Sequence, residues 1–242
     1  MLVKNKALYQ SLIQAKQQNK KLLAILIDPD KVNLNTLDHL IIKISESPAT
    51  HIFIGGSIVT HYIIDELIVA LKKKLNLPII LFPGDPSQIS LHADGILFLS
   101  LISGRNPDYL IEHHVKSVSK LRSSDIEIIS TGYILVDGGK ETAVQRVSKT
   151  LPINRENEQQ IVDTAIAGTW LGNKLIYLEA GSGALHAVPI QVINAVSKAI
   201  TTPLIVGGGI KSYAQIQQAY DNGADLVVIG TAFEKDSHFF TK

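Results

Sequence analysis

The chain repeats one pattern of positions: a short apolar run rich in isoleucine, leucine and valine, then a stretch whose apolar residues return every three to four positions. The runs are residues 22–27, 51–54, 79–82, 95–99, 126–129, 175–178, 204–206 and 226–229. Within residues 62–75, Ile63, Ile64, Leu67, Ile68, Leu71 and Leu75 share one helical face; within residues 107–121, Leu110, Ile111, His114, Val115, Val118 and Leu121 do the same. Strands that alternate with helices lie parallel, because parallel neighbours need a long crossover between them. Eight such units in 242 residues predict an α/β chain closed into a (β/α)₈ TIM barrel, whose usual length is about 250 residues. No boundary or low-complexity segment divides the chain, so residues 1–242 read as one domain.

Two stretches depart from the pattern. After the third run, Pro83-Gly84-Asp85-Pro86 leaves room for about one helical turn, so helix 3 is degenerate. After the fifth run, residues 137–157 mix glycines, threonine and charges and read as a long loop over the barrel mouth. There is also an internal echo. Pro78 and Ala93-Asp94-Gly95 match Pro203 and Ala224-Asp225-Leu226, as a half-barrel duplication would leave them.

Composition narrows the partners. A formal charge of +1 advertises no basic face, which argues against nucleic acid. The absence of cysteine removes disulfides and thiolate metal sites and fits a cytoplasmic location. Residues 1–21 read as a polar amphipathic helix without a signal-peptide core, and no apolar run approaches the ~18–20 residues of a membrane span. The histidines show no metal-binding spacing, and His113-His114 reads as a helical pair with one solvated face.

In such barrels the functional groups follow the strands, at the C-terminal face. Gly207-Gly208-Gly209 and Gly230-Thr231 follow the last two runs, where glycines let backbone amides approach a phosphate; Gly181-Ser182-Gly183 would close that cradle. The plain alternative for the triple glycine is a tight turn. Asp28 ends an apolar run whose Ala24 and Leu26 would face the barrel interior, so its carboxylate points into the mouth. It suits Mg²⁺, with Ser57 as a further oxygen ligand; the alternatives are a turn aspartate before Pro29 and a routine helix cap. Tyr177 and Glu179 share a strand face. They suit binding and deprotonating a substrate hydroxyl, unless Glu179 is only a structural carboxylate.

These motifs together resemble the geranylgeranylglyceryl phosphate synthase family. Leu26-Ile27-Asp28-Pro29-Asp30-Lys31, Ile54-Gly55-Gly56-Ser57, Tyr177-Leu178-Glu179, Val206-Gly207-Gly208-Gly209-Ile210 and Ile229-Gly230-Thr231 carry the resemblance. Ser103-Gly104-Arg105-Asn106-Pro107 and Ser130-Thr131-Gly132-Tyr133 also fit it. The resemblance covers nearly the whole chain in order. It implies a Mg²⁺-dependent prenyltransferase that joins a polyprenyl diphosphate to the 3-hydroxyl of sn-glycerol 1-phosphate, making an ether lipid precursor. By that resemblance, Asp28 and Ser57 hold the metal, and Tyr177, Leu178, Glu179, Ala180, Gly181, Ser182, Gly183, Gly208, Gly209, Gly230 and Thr231 bind the glycerol phosphate. A homo-oligomer is also implied, with which a mean hydropathy of +0.18 is compatible. The lipid-like product leaves peripheral membrane contact open. One position departs: some members carry a lysine where this chain has Leu26, so this sequence resembles the other branch.

The prenyl tail needs an apolar groove, and the missing third helix is the place for it, with Phe82, Phe98, Tyr62 and Tyr109 as lining residues or ordinary core aromatics. Two other readings compete. A phosphate-binding isomerase or aldolase barrel would need an acid–base pair or a Schiff-base lysine. A non-catalytic polyprenyl-phosphate carrier would bind both ligands and release no pyrophosphate.

Overall fold

Eight parallel strands pair in chain order and close on themselves in the computed structural model, which describes residues 7–57, 59, 63–236 and 239–240. They are β1 (Leu22–Ile27), β2 (His51–Ile54), β3 (Ile79–Leu81), β4 (Gly95–Leu101), β5 (Glu127–Leu135), β6 (Leu175–Glu179), β7 (Leu204–Gly207) and β8 (Leu226–Ile229). Closure sets Leu22 of β1 opposite Leu226 of β8 and Ile25 opposite Ile229. Alternation then sorts the side chains. Ala24, Phe53, Ile80, Leu97, Tyr177 and Val228 fill the barrel interior, while Ile25, Ile52, Leu178 and Val206 face the surrounding helices.

Those helices are α2 (Leu37–Ser45), α3 (Ile64–Lys72), α4 (His113–Leu121), α5 (Ala143–Ser148), α6 (Glu158–Trp170), α7 (Ile190–Ala199), α8 (Tyr213–Asp221) and α9 (Thr231–Lys235). On α3 the buried residues are Ile64, Leu67, Ile68 and Leu71, as the periodicity predicts. The third unit keeps only one 3₁₀ turn, Pro86–Gln88. Residues 137–157 are more ordered than expected, for they contain α5, capped by the Thr142 hydroxyl.

Two expectations need correction. β5 runs to Leu135 rather than stopping at Ile129, so Ser130-Thr131-Gly132-Tyr133 is strand and not loop. Its polar residues find partners there: Ser130 donates to Asn173 at 2.9 Å and Thr131 to its own strand's Ile129 carbonyl at 2.9 Å. On α4 the expected stripe does not face the core as a whole. His114, Ser117 and Leu121 face inward while Ile111, Val115 and Val118 are exposed. The helix is held by Phe98, whose ring meets His114 edge-on at 4.4 Å, and by Lys120, which donates to the Ile89 carbonyl. A π turn, Asp108–Glu112, leads into it.

The N-terminal helix α1 (Ala7–Gln17) closes the bottom of the barrel, with Leu12 and Ala15 packed on the interior core. The Glu127 carboxylate accepts the amides of Leu8 and Tyr9 at 2.7 and 3.1 Å, an anion at a helix start. Lys16 adds a 2.8 Å ion pair to Asp225. Replacing Glu127 by alanine would leave both amides without that acceptor. We expect a loss of about 1–3 kcal/mol, read as a lower melting temperature with unchanged ligand affinity.

The internal echo has a structural counterpart on the same floor. Asp94 and Asp225 each accept, at 2.8 Å, the amide that opens the preceding strand, Ile79 and Leu204. Each returns its own amide to the same residue's carbonyl at 2.9 Å. The opposite, C-terminal ends of the strands open into a cavity.

Candidate active site

The C-terminal mouth is a cavity of about 530 Å³ lined by Asp28, Ser57, Tyr177, Glu179, Gly208 and Thr231 among others. Three chain segments rich in glycine build one corner of it. Gly181 and Gly183, after β6, have φ of +98° and +67°; Gly208 and Gly209, after β7, have +78° and +68°. Side-chain-bearing residues rarely adopt such angles. The amides of Ser182, Gly183, Gly208, Gly209, Gly230 and Thr231 donate to no backbone carbonyl among the described residues. Ser182 and Thr231 hydroxyls meet at 3.3 Å and clasp two of the segments together. Uncommitted amides around one corner of a cavity are suited to cradle an anion.

Glu179 lies beneath the cradle. It is 5% exposed, and its Oε1 accepts the Gly181 amide at 2.7 Å. Burial pushes its carboxyl up to about 7; the Gly181 amide and the nearby Tyr177 hydroxyl oppose the rise. Glu179 therefore holds the loop after β6 through the Gly181 amide, while burial raises its carboxyl toward neutrality. The Tyr177 hydroxyl is buried and makes no hydrogen bond of full geometry among the described residues. Its ring packs against Phe82 at 5.3 Å and Tyr133 at 5.3 Å, an aromatic group at the inner edge of the mouth.

Asp28 lies at the end of β1 as expected, with Ala24 and Leu26 on the interior side. It also acts as a cap: Oδ1 accepts the Asp30 amide at 3.2 Å, and Oδ2 lies 3.3 Å from the Lys31 ammonium. Asp28 and Ser57 line the same cavity. Among the described residues no three His, Cys, Asp or Glu side chains cluster as metal ligands. One carboxylate and one hydroxyl fit Mg²⁺, which takes its other ligands from water and phosphate oxygens.

Not every expected residue points into the mouth. Leu178 and Ala180 are buried in the outer core, because alternation turns them away from Tyr177 and Glu179. The Ala180 amide is committed to the Gly207 carbonyl at 3.1 Å. Ser103-Gly104-Arg105-Asn106 braces the loops: Ser103 accepts the Leu135 amide at 2.9 Å, and Asn106 donates to the Ser148 carbonyl at 2.8 Å. Leu26 packs below Gly230, whose added Cβ would be 3.6 Å from that of Leu26. The nearest cation to Gly183 is instead Lys140, from the segment before α5.

An apolar groove adjoins the mouth where the third helix is missing. Phe82, Phe98 and Tyr109 line it, together with Ile89, Leu97 and Val147; Tyr62 lies outside the described residues. His113 and His114 line it too, so this pair is turned into the groove rather than to solvent. Mouth and groove share a wall of Gly56, Ser57, Phe82, Tyr133 and Val144. Tyr133 and Lys31 stand within the motifs quoted from the sequence, which gives neither a role at the mouth. Continuing the alternation of β5 through its polar residues would have found Tyr133.

Comparison with known proteins agrees with this architecture. The chain is 60% identical over 233 residues to a geranylgeranylglyceryl phosphate synthase of Flavobacterium johnsoniae, covering 96% of each chain. It is 55% identical over 224 residues to the protein of that name from Zunongwangia profunda, covering 93% of this chain and 95% of that one. The crystal structure of (S)-3-O-geranylgeranylglyceryl phosphate synthase from Thermoplasma acidophilum, in complex with its substrate sn-glycerol-1-phosphate, superposes with a TM-score of 0.89 at 32% identity, covering 96% of this chain and 93% of that one. The model of the PcrB family matches residues 15–241, from the floor helix through all eight strands to the last helix of the mouth, and the chain belongs to that family.

Proposed function

We propose that this chain is a geranylgeranylglyceryl phosphate synthase, transferring the prenyl group of geranylgeranyl diphosphate to the 3-hydroxyl of sn-glycerol 1-phosphate and releasing pyrophosphate. The observation that carries the reading is the shared wall: an anion cradle over a buried carboxyl opens directly onto an apolar groove. A small phosphate ester and a long apolar chain need that adjacency to react. Relatives named for this activity support it.

In this reading the glycerol phosphate is held by the amides of the cradle, and its hydroxyl is presented towards Glu179. As the ether C–O bond forms, Glu179 accepts the hydroxyl proton, and the allylic C–O bond to the diphosphate breaks. Faces of Tyr177, Tyr133 and Phe82 stabilise positive charge developing on the allylic carbon. Asp28 would hold Mg²⁺, with Ser57 as a further oxygen donor; the chemistry supplied there is charge neutralisation on the leaving diphosphate. Replacing Asp28 by asparagine is expected to raise the Mg²⁺ concentration for half-maximal rate by at least about tenfold. An unchanged titration would remove Asp28 from that role.

The aldolase alternative finds no lysine on a strand among the described residues, the lysines of the mouth lying on the segments that follow the strands. Lys174 lies at the bottom of the barrel, 5.3 Å from the Tyr9 ring centre, and Lys211 is tied to the Leu185 carbonyl at 2.8 Å. Calorimetry with the two glycerol phosphates tests the cradle. Tighter binding of the sn-1 than of the sn-3 isomer is the expected result; equal binding, or none, contradicts it.

A further inference from the structure

We propose that Lys31 is a diphosphate-binding residue that reaches its ligand by exchanging partners with Asp28. The inference deepens the prenyltransferase reading and rests on it. Lys31 ends the short 3₁₀ turn after β1 and lines the mouth. Its ammonium bridges two carboxylates, 3.3 Å from Asp28 Oδ2 and 3.0 Å from Glu234 Oε2. Glu234 belongs to α9, which begins at Thr231 of the phosphate cradle, so this lysine spans the two sides of the opening.

Charge balance points to a second position for it. Asp28, Glu179, Glu234 and Asp236 all line the mouth. A diphosphate entering there meets carboxylates and needs cations close by. Lys31, Lys211 and Lys235 also line the mouth, and Lys211 already donates to the Leu185 carbonyl at 2.8 Å. Lys31 stands beside the carboxylate assigned to the metal, and its side chain is 49% exposed, leaving it room to turn. An ammonium and a divalent cation sharing one carboxylate would repel each other. A metal held by Asp28 would therefore push Lys31 off that carboxylate. A diphosphate oxygen beside the metal is the partner of opposite charge that replaces it, while Glu234 keeps hold of the lysine in the empty state.

A purely structural clamp between β1 and α9 would have different consequences, and two variants separate the cases. Inorganic pyrophosphate is titrated into the full chain at fixed Mg²⁺ by calorimetry, with no prenyl donor and no glycerol phosphate present. Lys31→Met should weaken pyrophosphate binding about tenfold or more, and Lys31→Arg should restore most of it. Glu234→Gln removes the competing carboxylate and should bind pyrophosphate at least as tightly as the wild type. Weaker binding in both Lys31→Met and Glu234→Gln is the clamp result and overturns the proposal, as does unchanged binding in Lys31→Met. A wild-type chain that binds no pyrophosphate with Mg²⁺ overturns the proposal together with the functional reading beneath it.

Discussion

Replacing Glu179 by glutamine should lower turnover by about 10²–10⁴-fold, the range for loss of a positioned general base, with glycerol phosphate affinity changed only a few-fold. The substitution keeps the shape and lets one amide oxygen still accept the Gly181 amide, so the cradle above it stays formed. What it removes is the proton acceptor. Wild-type turnover in this variant would take Glu179 out of the chemistry and leave it a structural carboxyl.

The pH dependence gives a second readout of the same group. With its carboxyl raised to about 7 by burial, Glu179 must lose its proton before it can act as a base, so kcat/KM should rise with pH and level off above about 7. The glutamine variant should lack that rise. Stability moves in the opposite direction. Between the ordinary 4.5 and about 7 the folded state holds a proton that the unfolded chain has released, so this group's contribution is full below 4.5 and is lost as pH rises through 7. Removing the titration by Glu179→Gln should flatten that slope.

The second large effect is expected at Gly208. A methyl group there would lie 2.2 Å from Glu179 Oε1, 2.5 Å from the Gly181 amide nitrogen and 2.7 Å from that of Ala180, at a φ of +78°. Two of these contacts are backbone and cannot turn aside. Gly208→Ala must therefore displace the loop after β6 or rotate the glutamate, and either movement spoils the cradle. Glycerol phosphate affinity should fall at least tenfold, equal to about 1.4 kcal/mol, with a lower melting temperature. Gly172 is the control: its φ is +91°, but an added Cβ meets nothing within 4 Å. Gly172→Ala should cost only about 1–2 kcal/mol of backbone strain and leave binding unchanged. Equal affinities in the two variants would contradict the account of the cradle.

Much of the barrel is legible in the chain because parallel strands buried on both faces are nearly continuous apolar runs. Three of them, β1, β2 and β8, have the expected bounds. Ser130, Thr131 and Gly132 look like loop in the sequence yet continue β5, their polar groups satisfied locally by partners that pattern alone does not reveal. The turned face of α4 depends on its contact with Phe98, a tertiary effect that overrides helical periodicity. At the mouth, glycines announced the cradle through their conformational freedom, and Asp28 and Glu179 announced themselves as charges closing apolar runs. Leu178 and Ala180 fell within the same motif but face outward, since a strand shows only alternate residues to one side. The Lys31 bridge joins elements some two hundred positions apart, and no local spacing encodes it.

The most direct test of the prenyltransferase reading is pyrophosphate release from geranylgeranyl diphosphate with Mg²⁺, comparing sn-glycerol 1-phosphate with sn-glycerol 3-phosphate. Release with the 1-phosphate, and little with the 3-phosphate, is the predicted result. No release with either, across several prenyl lengths, would contradict it.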